Sequence, residues 1–402
     1  MKEKDILTVT IVDDNHLGNG IAKKDDLTIF VPQTIKDDVV EIKIKKVSKK
    51  IANADVVKYI TKSNNHQNVK CPYYDKCGGC DLLHIPYDRE KELKEKYIKK
   101  LIKDFDTSIV SFNREKYRNK VTLHVSNNSL GYYKKDSNSL IPINHCLLLS
   151  DSINKTIEIL KNINLDSIKE IVIKDATGVL VSIYGSISKQ DLEYIKKEPI
   201  KSIYINDKLA YGEEYLKIRF KNIIYNINNE SFFQINNECA EALYKKIKEE
   251  VGSCDSLLDL YCGTGSIGLY LHENVKHITG IEINKNSVKC AKKNIIDNNI
   301  KNYTIINADA SKIDKKNYDV VIVDPPRSGL SKEVINIINK MDNKKVIYIS
   351  CNPSTLKRDL DILTEYVIKD ISVFNMFPGT KHIETLVVLE RQNWIHKSYM
   401  IK

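Results

Sequence analysis

The stretch "SLLDLYCGTGSIG", residues 256–268, runs from apolar strand-like residues into glycines at 263, 265 and 268. An apolar run closed by glycines marks the carboxyl end of a buried strand, where the backbone turns sharply and can approach a ligand closely. In open α/β sheets that edge is the binding edge. Downstream the pattern repeats as "HITGIEIN", "YTIINADA", "YDVVIVDPP", "KKVIYISC", "VIKDISVFNMFP" and "HIETLVVLE", with helical periodicity between them in "KNSVKCAKKNIIDNNI" and "SKEVINIINKM". Near-continuous apolar strands alternating with helices predict an α/β, doubly wound, mostly parallel sheet over 230–402.

At 402 residues the chain exceeds one compact domain, and two more regions precede the sheet. Residues 1–60 read as short β-branched segments, "ILTVTIV", "LTIFVP", "VVEIKIKKV" and "ADVVKYI", separated by turn signals; this predicts a small β-barrel. Residues 61–229 form a central α+β region. The net charge of +10 points toward an anionic partner, although all but seven of the 63 basic residues are lysine, as an A/T-rich genome also produces. Five lysines crowd into "KIKKVSKK" at 43–50, which suits a solvated edge strand or a phosphate-contacting face equally. No leader-like apolar run opens the chain and no stretch is long enough to span a bilayer, so a soluble cytoplasmic protein is expected. Nine unevenly spread cysteines argue for reduced thiols, metal ligation or catalysis over a disulfide framework.

Carboxylates recur at the predicted strand ends. Glu282 closes the second strand, where it can accept both hydroxyls of a ribose; Asp309 in "NADA" closes the third, where it can orient an adenine; Asp324 opens "DPPRSG" after the fourth. Singly, each reads as well as a helix cap or a solvated turn. Jointly, their spacing resembles the S-adenosylmethionine pocket of class I methyltransferases. Cys351 follows the fifth strand, just before a helix opened by Pro353. The positive end of that helix is expected to favour thiolate over thiol. Position alone fits a small buried residue as well, the reading preferred for Cys262 and Cys290.

The set "SFFQ", "DLYCGTGSIGL", "GIEIN", "DPPRSGL", "YISCNP" and "HIETL" resembles, in order and spacing, the RNA uracil-5-methyltransferase family. Carried over residue by residue, the resemblance places the family's nucleophile on Cys351 and its proton-abstracting carboxylate on Glu384. It places donor-binding groups on Gln234, Tyr261, Glu282 and Asp324, with Tyr261 standing where a Phe is often found. The implied chemistry needs a thiol, because carbon-5 of uracil is a poor nucleophile until a thiolate adds at carbon-6. Phe233 is a candidate to stack on the target base. His382 reads as a satisfied histidine before it reads as a catalytic helper, and Arg327 can meet phosphate or pair with a carboxylate.

"CPYYDKCGGCDLLHI" sets Cys71, Cys77 and Cys80 at C-x5-C-x2-C spacing, and Cys146 is the remaining cysteine before residue 239. Four thiols suit structural zinc or an iron-sulfur cluster, and spacing does not separate them. His84 or His145 replacing a thiol is the minor alternative. Cluster-bearing members of the same family hold 4Fe-4S on four such cysteines, so the resemblance implies iron. Upstream, "LGNGIAK", "IFVP" and "VEIKIKKVSKK" are similar to a TRAM domain, an RNA-binding barrel, and Arg118 and Lys120 match a region of the family that touches RNA. Barrel and cysteine set together imply the 23S rRNA branch; a tRNA enzyme is the alternative. The expected partner is RNA, with no DNA or membrane, and the expected state a monomer. A methylase of exocyclic nitrogen, or a non-catalytic iron-sulfur RNA-binding protein, are the competing readings.

Overall fold

The computed structural model describes residues 1–103, 105–313 and 317–392. The chain divides into two compact units: Met1–Lys103 with Tyr132–Ile141 and Phe377–His382, and the rest of the described chain. Residues 61–229 are therefore shared between the two. Among the described residues no helix is long and apolar enough to cross a membrane.

In the first unit, six strands pair in the order Ile6–Thr10, Val39–Ser48, Ile51–Thr61, Leu27–Pro32, Asn19–Lys24, Asp13–Asp14. Alternation decides which face is buried: Val9, Ala22, Ile29, Val31, Val40, Ile42, Ile44, Ala52 and Ala54 form one core. Of the lysine cluster, Lys43, Lys45 and Lys46 lie on the Val39–Ser48 strand, and all five lysines are exposed. The helix Tyr87–Leu101 turns a fully buried Glu90–Lys94 pair (2.9 Å) toward the 377–382 segment. There the Glu90 carboxylate accepts the Gly379 N–H (3.0 Å) and Lys94 donates to the Phe377 carbonyl (3.3 Å). Each buried charge thus meets its counterion and a backbone group, which burial requires.

The second unit contains an eight-stranded sheet. Its seven strands from the carboxyl-terminal part of the chain are β1 (Cys254–Leu260), β2 (Val275–Glu282), β3 (Tyr303–Asn307), β4 (Val320–Val323), β5 (Lys345–Ser350), β6 (Tyr366–Phe374) and β7 (Glu384–Arg391). They pair in the order 3-2-1-4-5-7-6, and Ser108–Val110 adds a parallel strand beside β6. All pairs among β1–β5 are parallel, while β7 runs antiparallel to both β5 and β6. The order reverses between β1 and β4, which opens a crevice at their carboxyl ends. Flanking helices are α1 (Asn237–Val251), α2 (Ser266–Leu271), α3 (Lys285–Asp297), α4 (Lys332–Lys340) and α5 (Pro353–Leu360). Asn236, Asn284, Ser331 and Asn352 cap α1, α3, α4 and α5 with side-chain oxygens. The strands read as apolar runs because both faces are covered: Val320–Val323 is buried at every position. A second sheet in this unit runs Lys120–Ser126, Ile168–Asp175, Val179–Gly185, Ile200–Ile205, Lys208–Gly212, and the hairpin Leu216–Phe220/Ile223–Ile227 leads into α1.

Candidate active site

At the end of β1 the chain turns through Tyr261, whose φ of 61° lies in the left-handed region that side chains other than glycine seldom adopt. Gly263 (φ 54°) and Gly265 (φ 78°) complete the turn. A methyl group placed on Gly263 would meet nothing within 4 Å, so space stands open beside this loop. Glu282 ends β2 and holds the loop: its Oε2 accepts the Gly263 N–H (3.0 Å) and its Oε1 the Asn284 N–H (2.7 Å). Each oxygen keeps a further lone pair for a ligand hydroxyl. Asp309 is exposed, and hydrogen bonds from the Ser311 side chain and then from the Ser311 N–H (2.8 Å) hold its carboxyl below the usual range. Gly268 serves another purpose than the ligand approach expected of it. Its missing side chain admits the Tyr303 ring, which a Cβ would meet at 2.4 Å. The Tyr303 hydroxyl donates to Asp259 Oδ2 (2.8 Å), which also accepts the Gly268 N–H (3.3 Å). Burial pushes the Asp259 carboxyl up to about 7.

Cys351 lies on the neighbouring edge. β5 and β7 pair as far as Ser350 with Thr385; Cys351 follows directly after β5, and Glu384 is the first residue of β7. Glu384 is 3% exposed. Burial, and then the charge of Asp324, hold its carboxyl well above the usual range, with Arg327 opposing. Asp324, directly after β4, is raised to about 7 by burial and Asp259. The expectation of a helix-stabilised thiolate is overturned. Burial, then Glu384 and Asp324, push the Cys351 thiol up to about 11, and Arg327 only partly offsets them. Burial is the largest of these effects, and the two carboxyls add to it. The "DPPRSGL" loop is fastened to that helix. Asn352 Nδ2 donates to the Arg327 carbonyl (2.9 Å), and the Leu330 N–H donates to Asp359 Oδ2 (2.8 Å), which also accepts the Tyr348 hydroxyl (2.7 Å).

Gln234 is buried, and its carbonyl accepts from Asn119 Nδ2 (2.9 Å). Phe233 does not present a stacking face. Its ring is buried against Phe220 (5.5 Å) and Tyr225 (5.4 Å), whereas its neighbour Phe232 is 56% exposed. His382 stacks edge-on with Phe377 at 5.8 Å. Arg118 Nε donates to the Lys120 carbonyl (2.9 Å). Sequence reasoning missed Asp259, Tyr303 and Asp359; for Asp259 the signal was a carboxylate inside the apolar run "SLLDLY".

Cys71, Cys77 and Cys80 are half-buried on the 71–80 turn, and the Gly79 N–H donates to Cys77 Sγ (3.3 Å). Half-buried Cys146 is held by Asn154, which accepts its N–H (2.9 Å) and donates to its carbonyl (3.1 Å). Four thiols with an amide aimed at one of them are donors suited to a thiolate-bound cluster. Among the described residues, however, no three ligating side chains are gathered to hold a metal. His84 Nδ1 is engaged with the Tyr74 hydroxyl (2.6 Å).

Residues 182–315 and 308–392 match the family model described as tRNA (Uracil-5-)-methyltransferase, and residues 2–57 match the TRAM domain. An uncharacterized RNA methyltransferase of Clostridium acetobutylicum is 31% identical, over 97% of this chain and 98% of its own length. One of Staphylococcus aureus is 30% identical over 96% and 98%. The fold matches the crystal structure of the Pyrococcus abyssi tRNA (uracil-54, C5)-methyltransferase in complex with S-adenosyl-L-homocysteine, with a TM-score of 0.80, 24% identity, and 95% and 99% of the two chains covered. With a TRAM domain at its start and the strand-end residues described above, the chain belongs to the tRNA (uracil-5-)-methyltransferase family, the S-adenosylmethionine-dependent RNA uracil methyltransferases.

Proposed function

We propose that this enzyme methylates carbon-5 of a uridine in RNA, with 23S rRNA as substrate, through a covalent bond between Cys351 and carbon-6. The observation that supports the reading is that the β5–β7 register ends at Ser350 with Thr385, next to Cys351 and Glu384, and that the Glu384 charge acts on the Cys351 thiol. S-adenosylmethionine, when bound, supplies an electrophilic methyl group. For it the open space at Gly263, the Tyr261 ring and the free lone pairs of Glu282 form a fitting cradle, with Gln234, Asp309 and Asp324 completing the set.

The thiol of Cys351 first gives up its proton to solvent, which Arg327 favours, and Glu384 is left as a carboxylate. The thiolate adds at carbon-6, and the ring π electrons move to the carbon-4 oxygen as an enolate. As the carbon-4 carbonyl re-forms, carbon-5 takes the methyl group from the sulfonium, whose S–CH3 bond would break with its electron pair to leave the neutral thioether S-adenosylhomocysteine. Glu384, as carboxylate, removes the carbon-5 proton; the ring double bond re-forms and the Cys351 thiolate leaves. Dry surroundings keep Glu384 basic enough for this transfer.

Three parts share the work: a TRAM barrel (1–60) gripping RNA, a central domain (61–229), and the catalytic domain (230–402). Cys71, Cys77, Cys80 and Cys146 we assign to a 4Fe-4S cluster on donor chemistry; iron and sulfide analysis of anaerobically purified protein tests this. The protein would act as a cytoplasmic monomer. The family model's description favours tRNA as a second reading of the substrate. RNA substituted with 5-fluorouridine should form a denaturation-resistant adduct at Cys351; an active enzyme that forms none rejects the mechanism. Mapping 5-methyluridine in rRNA and tRNA of cells lacking the gene decides the substrate.

A further inference from the structure

Lys174 lies on the strand Ile168–Asp175 and is 5% exposed. Its ammonium donates to three backbone carbonyls of one turn: Asn228 (2.8 Å), Asn229 (2.7 Å) and Ser231 (2.7 Å). All three N–H bonds are thereby used, and the turn's inward carbonyls gain partners that burial would otherwise deny them. The arrangement is costly for the sheet itself. Lys174 stands directly opposite Lys120 in the strand register, and like charges so placed repel. Burial and Lys120 bring the Lys174 amine down to about 7, with Cys290 and Glu230 acting in the other direction. An apolar side chain would suit the strand better, so the ammonium answers to the turn.

The turn leads straight into "SFFQ". Beyond it, Asn119 donates to the Gln234 carbonyl (2.9 Å, from Nδ2) and to the Ile235 carbonyl (2.9 Å, from its backbone). Before it, Asn226 is held by Asn294 Oδ1 (2.7 Å) and by the Cys290 thiol (3.0 Å). Asn294 also donates to the Thr264 carbonyl (3.1 Å) in the glycine loop after β1. Within the turn the Ser231 hydroxyl also donates to the Asn228 carbonyl (3.1 Å) and the Ser231 N–H to Asn228 Oδ1 (2.9 Å), but among the hydrogen bonds described Lys174 is the one donor that reaches all three carbonyls and ties the turn to the sheet.

We infer that Lys174 is a positioning residue, clamping the Asn228–Ser231 turn so that Gln234 and Phe232 are held in the geometry required by the methyl donor and the target base. This rests on the function proposed above. The test uses the full-length protein with Lys174→Met, which keeps the bulk and removes the donors, and Lys174→Gln, which keeps an amide donor. Hydrogen exchange across 226–236 should quicken at least tenfold in Lys174→Met, with 303–323 unchanged. Affinity for S-adenosylhomocysteine by calorimetry should fall five- to tenfold, and Lys174→Gln should be intermediate. If Lys174→Met loses protection throughout, the comparison is made on Lys174→Gln. Unchanged exchange overturns the clamp; faster exchange with unchanged donor affinity and unchanged KM for RNA overturns the positioning role. The wild-type 5-fluorouridine adduct reports separately on the function. An adduct without the exchange effect sinks Lys174 alone. The exchange effect with donor binding but no adduct sinks the uracil mechanism alone, and wild-type protein that shows neither donor binding nor adduct rejects both.

Discussion

Cys351 and Glu384 stand one step beyond the Ser350–Thr385 pair of β5 and β7, so thiol and carboxyl rise from adjacent strands at the same sheet edge. The charge of Glu384 is felt by the Cys351 thiol, which puts the two groups near enough for one pyrimidine ring to lie between them. Glu384→Gln keeps the shape and removes the proposed base. With unmodified RNA and methyl donor it should therefore accumulate a methylated covalent adduct, stable to denaturation, while turnover falls by ~10²–10⁴. Adding Cys351→Ala should abolish the adduct. Wild-type turnover in Glu384→Gln, read by methyl incorporation, would rule out the carboxylate's role.

The free enzyme should carry Cys351 as a thiol. Burial, Glu384 and Asp324 set its titration at about 11. Because only the thiolate is alkylated, iodoacetamide labelling of the Cys351 peptide should be slow at pH 7.5 and rise about tenfold per pH unit until near that value. Glu384→Gln removes one opposing charge and should lower the apparent titration. Mass spectrometry resolves Cys351 from the other eight cysteines; fast labelling that is flat from pH 7 to 10 would contradict the protonated thiol.

Seven of the eight strands of the sheet, and the clustering of Cys351, Glu384 and Asp324 at one edge, are legible in the sequence, because apolar strands and the residues that end them are local signals; the eighth strand, Ser108–Val110, comes from far upstream and is not. Which of two adjacent phenylalanines turns inward is not local. Phe233 is taken by the Phe220–Tyr225 cluster, and Phe232 is left outside. The raised titration of Cys351 comes first from burial and then from Glu384 and Asp324, which distant parts of the chain bring in. The partners of Lys174 are carbonyls more than fifty positions away, and no spacing rule reaches them. The four cysteines show the converse: their spacing is a plain local signal, yet it says nothing of how they are gathered.

Phe232→Ala and Phe233→Ala should separate cleanly. Removing the buried Phe233 ring leaves a cavity among Phe220 and Tyr225 and should cost about 3–5 kcal/mol in urea unfolding. Removing exposed Phe232 should change stability by less than about 0.5 kcal/mol. If Phe232 stacks on the flipped base, its loss weakens RNA binding by ~1–3 kcal/mol, a roughly five- to hundredfold rise in KM for RNA. A Phe232→Ala enzyme with unchanged KM would leave the base without this partner.

Gly268→Ala should destabilise the enzyme by ~1–3 kcal/mol, because its methyl group would lie 2.4 Å from the Tyr303 ring, where neither helix nor sheet can give. Pairing it with Tyr303→Leu should recover part of the loss in thermal unfolding, since the clash goes with the ring. No recovery would mean that the glycine is required by the backbone instead.

Asp259 makes the stability of the second unit depend on pH. Its folded carboxyl titrates at about 7 against 3.8 when unconstrained, because burial outweighs the Tyr303 and Gly268 hydrogen bonds. A carboxyl whose folded value is raised holds its proton more tightly when folded. Its contribution is thus complete below about pH 4 and is lost as pH climbs through about 7. At ~1.4 kcal/mol per unit, the ceiling on the loss is ~4 kcal/mol. Asp259→Asn has no such titration while preserving an oxygen for the Tyr303 hydroxyl. Relative to wild type it should gain stability steadily between pH 4 and 7 and level off above pH 8, as read from urea midpoints. A difference that stays constant across that range would mean that Asp259 is ionised in the folded enzyme and that its burial is offset by a group other than Tyr303 and Gly268.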